Sequence, residues 1–259
     1  MPQTTAPALG PFWDYLRRTR RAALLFSGGL DSSLILAAAS AALGDGFRAI
    51  TFYGPHTTPG ELAAAWRLAR RFRVRHLVGR FDPLALPEFR HNRRERCYAC
   101  KAEVIRRAWE LAAHVGAPVL WDGTNLDDLA DFRPGLQAGR ELGVQSPLLA
   151  VGWGKAAIRR ASQALGLAAD KPAQSCLATR FPYDVTLTPE ILAAVGRAEA
   201  WLRRRGFERV RLRVPGPRLR LELDAAQWPA YLHPKVHGPF GAVVQRLGWQ
   251  GVDLAAPPG

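Results

Sequence analysis

The chain has 259 residues, 48% of them apolar and 22% charged, with three cysteines and a formal net charge of +14. That length predicts one large or two small domains with a real core; the mix excludes a disordered chain, and so few cysteines exclude a disulfide framework. The charge calls for an anionic partner (nucleic acid, nucleotide or another phosphate ester) unless it marks only a basic, solvated surface.

The opening "MPQTTAPALGPFWDYLRRTRR" lacks a basic start followed by an apolar run, so no signal peptide is expected. The most apolar stretch is broken by "SGGLDSS", so no membrane span is expected and the protein is read as cytoplasmic. Residues 12–20 predict an amphipathic lead-in helix. Then strands at 22–26, 47–53, 75–81 and 118–122 alternate with helices at 31–43, 59–72 and 98–116, with a polar, Arg-rich loop over 82–96. That alternation predicts an α/β fold, a doubly wound parallel sheet with ligands at the carboxyl ends of its strands. From about 185 the pattern changes. Thr188, Pro189 and Glu190 open a helix over 188–207. In "RVRLRVPGPRLRLEL" (209–223) apolar residues alternate with five arginines and one glutamate, a hairpin signal. The tail predicts a further helix or two and a short strand. The expected division is 1–185 and a smaller C-terminal α+β domain, 186–259.

"FSGGLDSS" (26–33) follows a strand and opens a helix. Gly28 and Gly29 allow a tight turn and close backbone approach. Ser27, Ser32 and Ser33 add hydroxyls, and the helix start offers N–H groups to an anion. The bland alternative is a turn with Asp31 as N-cap. "WDGTNLDDLADFRPG" crowds Asp122, Asp127, Asp128 and Asp131 after the fourth strand, to hold Mg²⁺, to orient a hydroxyl, or simply as a solvated acidic loop. Arg133 would pair with these acids or with a phosphate. Cys97 and Cys100 form a CxxC, open to zinc, an iron–sulfur cluster, a redox dithiol or two core cysteines. Only four of the 36 basic residues are lysine, namely Lys101, Lys155, Lys171 and Lys235. A retained ammonium suits a point contact with phosphate, whereas a guanidinium prefers planar pairing.

In this order and spacing, "SGGLDS", "CYACK", "DGTN…DD…D-FRPG", "KPAQSCLATRFPYDVTLTPE" and "RVRLRV…LRLEL" resemble the LarE family of PP-loop ATP pyrophosphatases, sulfur transferases of nickel-pincer cofactor biosynthesis. The resemblance spans about residues 20 to 225, and the Cys176 segment and the arginine hairpin are its most specific parts. It implies an adenine nucleotide alpha-hydrolase-like fold. ATP with Mg²⁺ would be held by Ser27, Gly28, Gly29, Asp31, Ser32 and Ser33, together with Asp122, Gly123, Thr124, Asp131 and Arg133. It implies adenylation of a carboxylate of pyridinium-3,5-biscarboxylic acid mononucleotide and replacement of oxygen by sulfur. Lys101, Arg180, Arg211, Arg213 and Glu222 would hold that substrate, with Cys176 and Glu199 in the catalytic role. In single-cysteine members the thiol itself is given up. In members with the CxxC, which this chain resembles, three cysteines, here Cys97, Cys100 and Cys176, hold a [4Fe–4S] cluster, and a sulfide on its free iron is the donor. Asp184 departs from the family's usual Gly after Pro-Tyr. Homo-oligomers are expected from the family. The alternatives are a tRNA-thiolating PP-loop enzyme and a non-catalytic nucleotide- or cluster-binding protein.

Overall fold

The computed structural model describes residues 9–130, 134–169, 175–207 and 209–256. Asp131, Arg133 and Lys171 lie outside them. In chain order the elements before residue 165 are α1 (Gly10–Leu16), β1 (Ala22–Leu25), α2 (Leu30–Leu43), β2 (Phe47–Tyr53), α3 (Glu61–Arg71), β3 (Arg75–Arg80), α4 (Pro87–Arg90), α5 (Arg96–His114), β4 (Leu120–Trp121), α6 (Pro134–Glu141), α7 (Pro147–Ala150) and α8 (Lys155–Ala164). After them come α9 (Pro189–Arg203), β5 (Arg211–Arg213), β6 (Arg218–Glu222), α10 (Trp228–Leu232), α11 (Pro234–Arg246) and β7 (Gly251–Ala255).

The chain folds as two compact units, 1–54 with 60–81 and 95–173, and 55–59 with 82–94 and 174–259. The first holds a parallel sheet in the order β3-β2-β1-β4. Alternate strand residues enter different clusters, as period-two side chains must. Leu24 and Ala49 pack with Phe12, Leu34, Ile35, Trp121 and Ile158. Ala23 and Ile50 pack with Ala102, Ile105, Ala108 and Leu120. Helices therefore cover both faces, and the fold is the expected doubly wound α/β sheet. The apolar character of α2 follows from this burial, since Ser32 to Ala39 are all buried. The strand expected over 118–122 is only two residues long, because Asp122 N turns away to Gln145 O. The lead-in helix stops at Leu16, short of the expected residue 20.

The second unit carries the sheet β5-β6-β7, with β5 antiparallel and β7 parallel to β6. The hairpin alternation is as expected: Val210, Leu212, Leu219, Leu221 and Leu223 are buried. Tyr231 lies edge-on to Phe207 and Phe240 and, with Trp201, builds an aromatic core among α9, α10 and α11. Thr188 caps α9 through its hydroxyl, with Pro189 in the first turn. The unit divides from the first near residue 174 rather than 186, and it recruits two earlier segments. Leu177 N donates to His56 O at 2.9 Å and Leu187 N to Arg90 O at 2.7 Å. Asn92, wholly buried, donates its side-chain amide to Phe181 O and Pro182 O. Among the described residues no helix is long and apolar enough to cross a membrane.

Candidate functional site

In the first unit, the turn between β1 and α2 carries Ser27, Gly28, Gly29, Asp31, Ser32 and Ser33. Gly28 has φ +70°, open to glycine at little cost. Gly29, not Asp31, is the N-cap of α2, and Asp31 lies in the first turn. Ser27 Oγ accepts from Gly29 N and lies 3.1 Å from Ser32 Oγ, so the hydroxyls stiffen the loop. The loop after β4 closes on this helix start. A Cβ on Gly123 would stand 3.0 Å from Ser32 N, so only glycine leaves room for the approach.

The acids of that loop are held by different donors. Asp122 accepts from Ser146 Oγ (2.8 Å), Thr124 N (3.1 Å) and Thr124 Oγ1 (3.0 Å), and pairs with Lys101 Nζ at 3.3 Å. Burial pushes its carboxyl up, but the Lys101 ammonium and these donors together hold it below the usual carboxylate range. Asp128 closes a capping box with Asn125. Asp127 accepts from Lys155 N at 2.6 Å. The Lys155 ammonium reaches Asp31 Oδ2 at 2.5 Å. Four chain segments thus converge: the β1–α2 turn, the β4 loop and the starts of α5 and α8. Serine hydroxyls, a helix start, two ammonium groups and hard carboxylate oxygens fit a magnesium-bound triphosphate.

The second unit holds Cys176, half-buried, where the chain enters a 3₁₀ turn over Leu177–Arg180. Thr179 donates its N–H and its hydroxyl to Cys176 O. Arg180 is 2% exposed. Its Nη1 donates to Ser175 Oγ at 2.6 Å and to Thr179 Oγ1 at 2.9 Å, the residues flanking the cysteine turn. Its Nε and Nη2 donate to the two oxygens of Glu199, at 2.6 and 3.2 Å. Glu199 is fully buried and also accepts from Arg203 Nη2 (2.7 Å) and from Leu212 N (3.0 Å).

The hairpin arginines divide sharply. Arg213 is spent on Glu222 Oε1 and Oε2 at 3.0 and 2.9 Å and on Thr179 O at 2.7 Å. The side chain of Arg211, half-buried, makes no hydrogen bond or ion pair among the described residues. Burial, then the charges of Arg180 and Arg213, lower its pKa, partly offset by Glu222 and Glu199. Burial and like-charged neighbours together make an anion beside this guanidinium physically favourable.

Cys97 (exposed) and Cys100 (half-buried) sit three apart in the first turns of α5, in the first unit, and Cys176 belongs to the second. Among the described residues no group of three or more His, Cys, Asp or Glu side chains is placed to hold a metal ion. The expected three-cysteine [4Fe–4S] site therefore gains no support.

Several contributors were not foreseen. Ser146 holds Asp122, Ser175 and Thr179 hold Arg180, and Asn92 holds the turn after it. Their partners are 24 and 89 residues away for Ser146 and Asn92, so nothing local marks them. For Ser175 and Thr179, one on each side of Cys176, the spacing was a usable signal. Asp184 has φ +61°, a conformation that glycine takes without cost and that Asp tolerates better than most residues. The glycine that the family resemblance implies here would take this φ freely.

The family model described as asparagine synthase matches residues 14–93. An uncharacterized protein of Synechocystis is 39% identical over 235 residues, covering 90% of this chain and 88% of that protein. The pyridinium-3,5-bisthiocarboxylic acid mononucleotide synthase of Lactiplantibacillus plantarum is 34% identical over 241 residues, covering 92% and 87%. An uncharacterized protein of Methanocaldococcus jannaschii is 29% identical over 199 residues, 75% of each chain.

Proposed function

The chain belongs to the LarE family of PP-loop proteins, and on that premise we propose that it is an ATP-dependent, AMP-forming sulfur transferase acting on pyridinium-3,5-biscarboxylic acid mononucleotide. The observation that carries this reading is that one chain holds both a PP-loop and, in its other unit, a cysteine turn locked by Arg180 beside an Arg211 side chain with no ion pair among the described residues.

The β1–α2 turn would cradle the phosphates, with Ser27, Ser32 and the first-turn N–H groups of α2 as donors. Asp31 and Asp122 would hold Mg²⁺, which supplies charge neutralisation at the phosphates when bound. A substrate carboxylate oxygen attacks the α-phosphate, pyrophosphate leaves, and the carboxyl becomes an acyl-adenylate. The Cys176 thiolate then attacks the acyl carbon and AMP leaves with the former carboxylate oxygen, giving a thioester. Loss of the Cys176 Cα proton with cleavage of its Cβ–S bond releases the thiocarboxylate and leaves dehydroalanine at 176. Arg211 would hold the substrate phosphate by a charge-assisted bidentate contact. Glu199, with both oxygens taken, would position Arg180 and so the cysteine turn, rather than meet substrate. No step is assigned to an iron–sulfur cluster.

Incubation with ATP, Mg²⁺ and the dicarboxylate mononucleotide should release AMP and pyrophosphate in step with thiocarboxylate. Cys176→Ala should keep pyrophosphate release and lose the sulfur-containing product. Thiocarboxylate formation by that variant would remove Cys176 from the mechanism.

A further inference from the structure

Lys155 is tied at two points. Its backbone N–H donates to Asp127 Oδ2, and its ammonium, on a four-carbon stem, reaches Asp31 Oδ2 at 2.5 Å. The side chain of Lys155 is 37% exposed and that of Asp31 21%, so the pair is neither sealed in nor free in water. Only four of the chain's 36 basic residues are lysine, yet Lys101 and Lys155 both sit on acids beside the β1–α2 turn. The choice matters physically. An ammonium is a compact point charge on a flexible stem and can pass from one anion to another, whereas a guanidinium is built for fixed planar pairing.

A divalent cation and an ammonium compete for one carboxylate oxygen, because like charges at that distance repel. A triphosphate removes the conflict by offering the ammonium new oxygens. We propose that Lys155 is a positioning residue that occupies Asp31 in the nucleotide-free protein, keeps a divalent cation from binding there alone, and moves onto the triphosphate when the metal arrives with ATP. The metal then loads with its nucleotide rather than before it. This rests on reading the β1–α2 turn as the ATP site.

The test compares wild type, Lys155→Met and Lys155→Arg by two binding measurements that need no turnover. Mn²⁺ binding to nucleotide-free protein is read by electron paramagnetic resonance. Binding of the magnesium complex of α,β-methylene-ATP is read by calorimetry. Lys155→Met should bind Mn²⁺ about two- to fivefold more tightly, the scale of one partly exposed ion pair, and the nucleotide about tenfold more weakly, the scale of one hydrogen bond to a charged group. Lys155→Arg, which keeps the charge, should leave Mn²⁺ binding close to wild type. A merely structural role would weaken both ligands together, so opposite signs are the signature. Unchanged or weaker Mn²⁺ binding by Lys155→Met, or unchanged nucleotide binding, overturns the proposal. If wild type itself fails to bind the nucleotide, the ATP-site reading falls and this inference with it. If wild type binds and the variant behaves identically, only the role of Lys155 falls.

Discussion

The carboxylates of the first unit and those of the second are paired in opposite manners. Asp31 and Asp122 are held by lysines whose side chains are 37% and 32% exposed. Glu199 is wholly enclosed and held by Arg180, Arg203 and a backbone N–H. The first arrangement can exchange partners when a charged ligand enters. The second cannot without leaving a charge buried, so it acts as a fixed frame. Nucleotide chemistry calls for replaceable counter-ions, whereas a reacting cysteine calls for a backbone that stays still.

Removing the frame should give the largest effect. Glu199→Ala leaves the Arg180 guanidinium buried and unpaired, and should cost about 3–5 kcal/mol in urea unfolding. Lys155→Met, which breaks a partly exposed pair in the first unit, should cost at most about 1 kcal/mol. Equal costs would erase the contrast between the units.

Within the second unit the contrast narrows to two neighbours on one strand. Arg211→Gln should raise the KM for the mononucleotide by about tenfold or more, the worth of a charge-assisted contact, with little change in stability. Arg213→Gln should lower stability by about 1–3 kcal/mol, since the buried Glu222 loses the Nε–H shared between its two oxygens. The reverse pattern would assign the phosphate contact to Arg213.

The α/β alternation, the strand-one turn and the arginine hairpin were all legible in the chain, because each rests on local periodicity or on glycine and proline chemistry. The even spacing of Arg211 and Arg213 could not reveal their different fates. That depends on Glu222, which the strand register sets opposite Arg211 but which bonds diagonally to Arg213, and on Thr179, which tertiary packing brings to Arg213. The role of Glu199 was hidden similarly, since its partners lie at 180, 203 and 212. The expected boundary at 185 missed the recruitment of 55–59 and 82–94, because backbone bonds such as Leu177 N to His56 O leave no trace in sequence.

His56 gives a pH handle on the fixed frame. Burial lowers its pKa to about 4, with Asp82 opposing that shift. The unfolded chain takes up this proton below its ordinary value of 6.5, while the folded protein resists it until about 4. Stability from this group is therefore full above pH 6.5 and is lost as pH falls toward 4. Urea titrations across that window should show a smaller decline for His56→Gln than for wild type. Parallel declines would place the acid sensitivity elsewhere.

The smallest effect is expected at Asp184. Its φ of +61° suits glycine, yet glycine also gains freedom in the unfolded chain, and the two effects oppose each other. Asp184→Gly should shift stability by no more than about 1 kcal/mol and leave the Cys176 turn intact. A large loss would show that the Asp184 side chain is itself needed there.

The central claim is that Cys176 gives its own sulfur to an adenylated carboxylate. Its most direct test is the mass of the peptide containing Cys176 after turnover with ATP, Mg²⁺ and the dicarboxylate mononucleotide. Loss of the mass of one H₂S at residue 176, matched by thiocarboxylate formed, is the predicted result. An unchanged mass alongside thiocarboxylate production would contradict it.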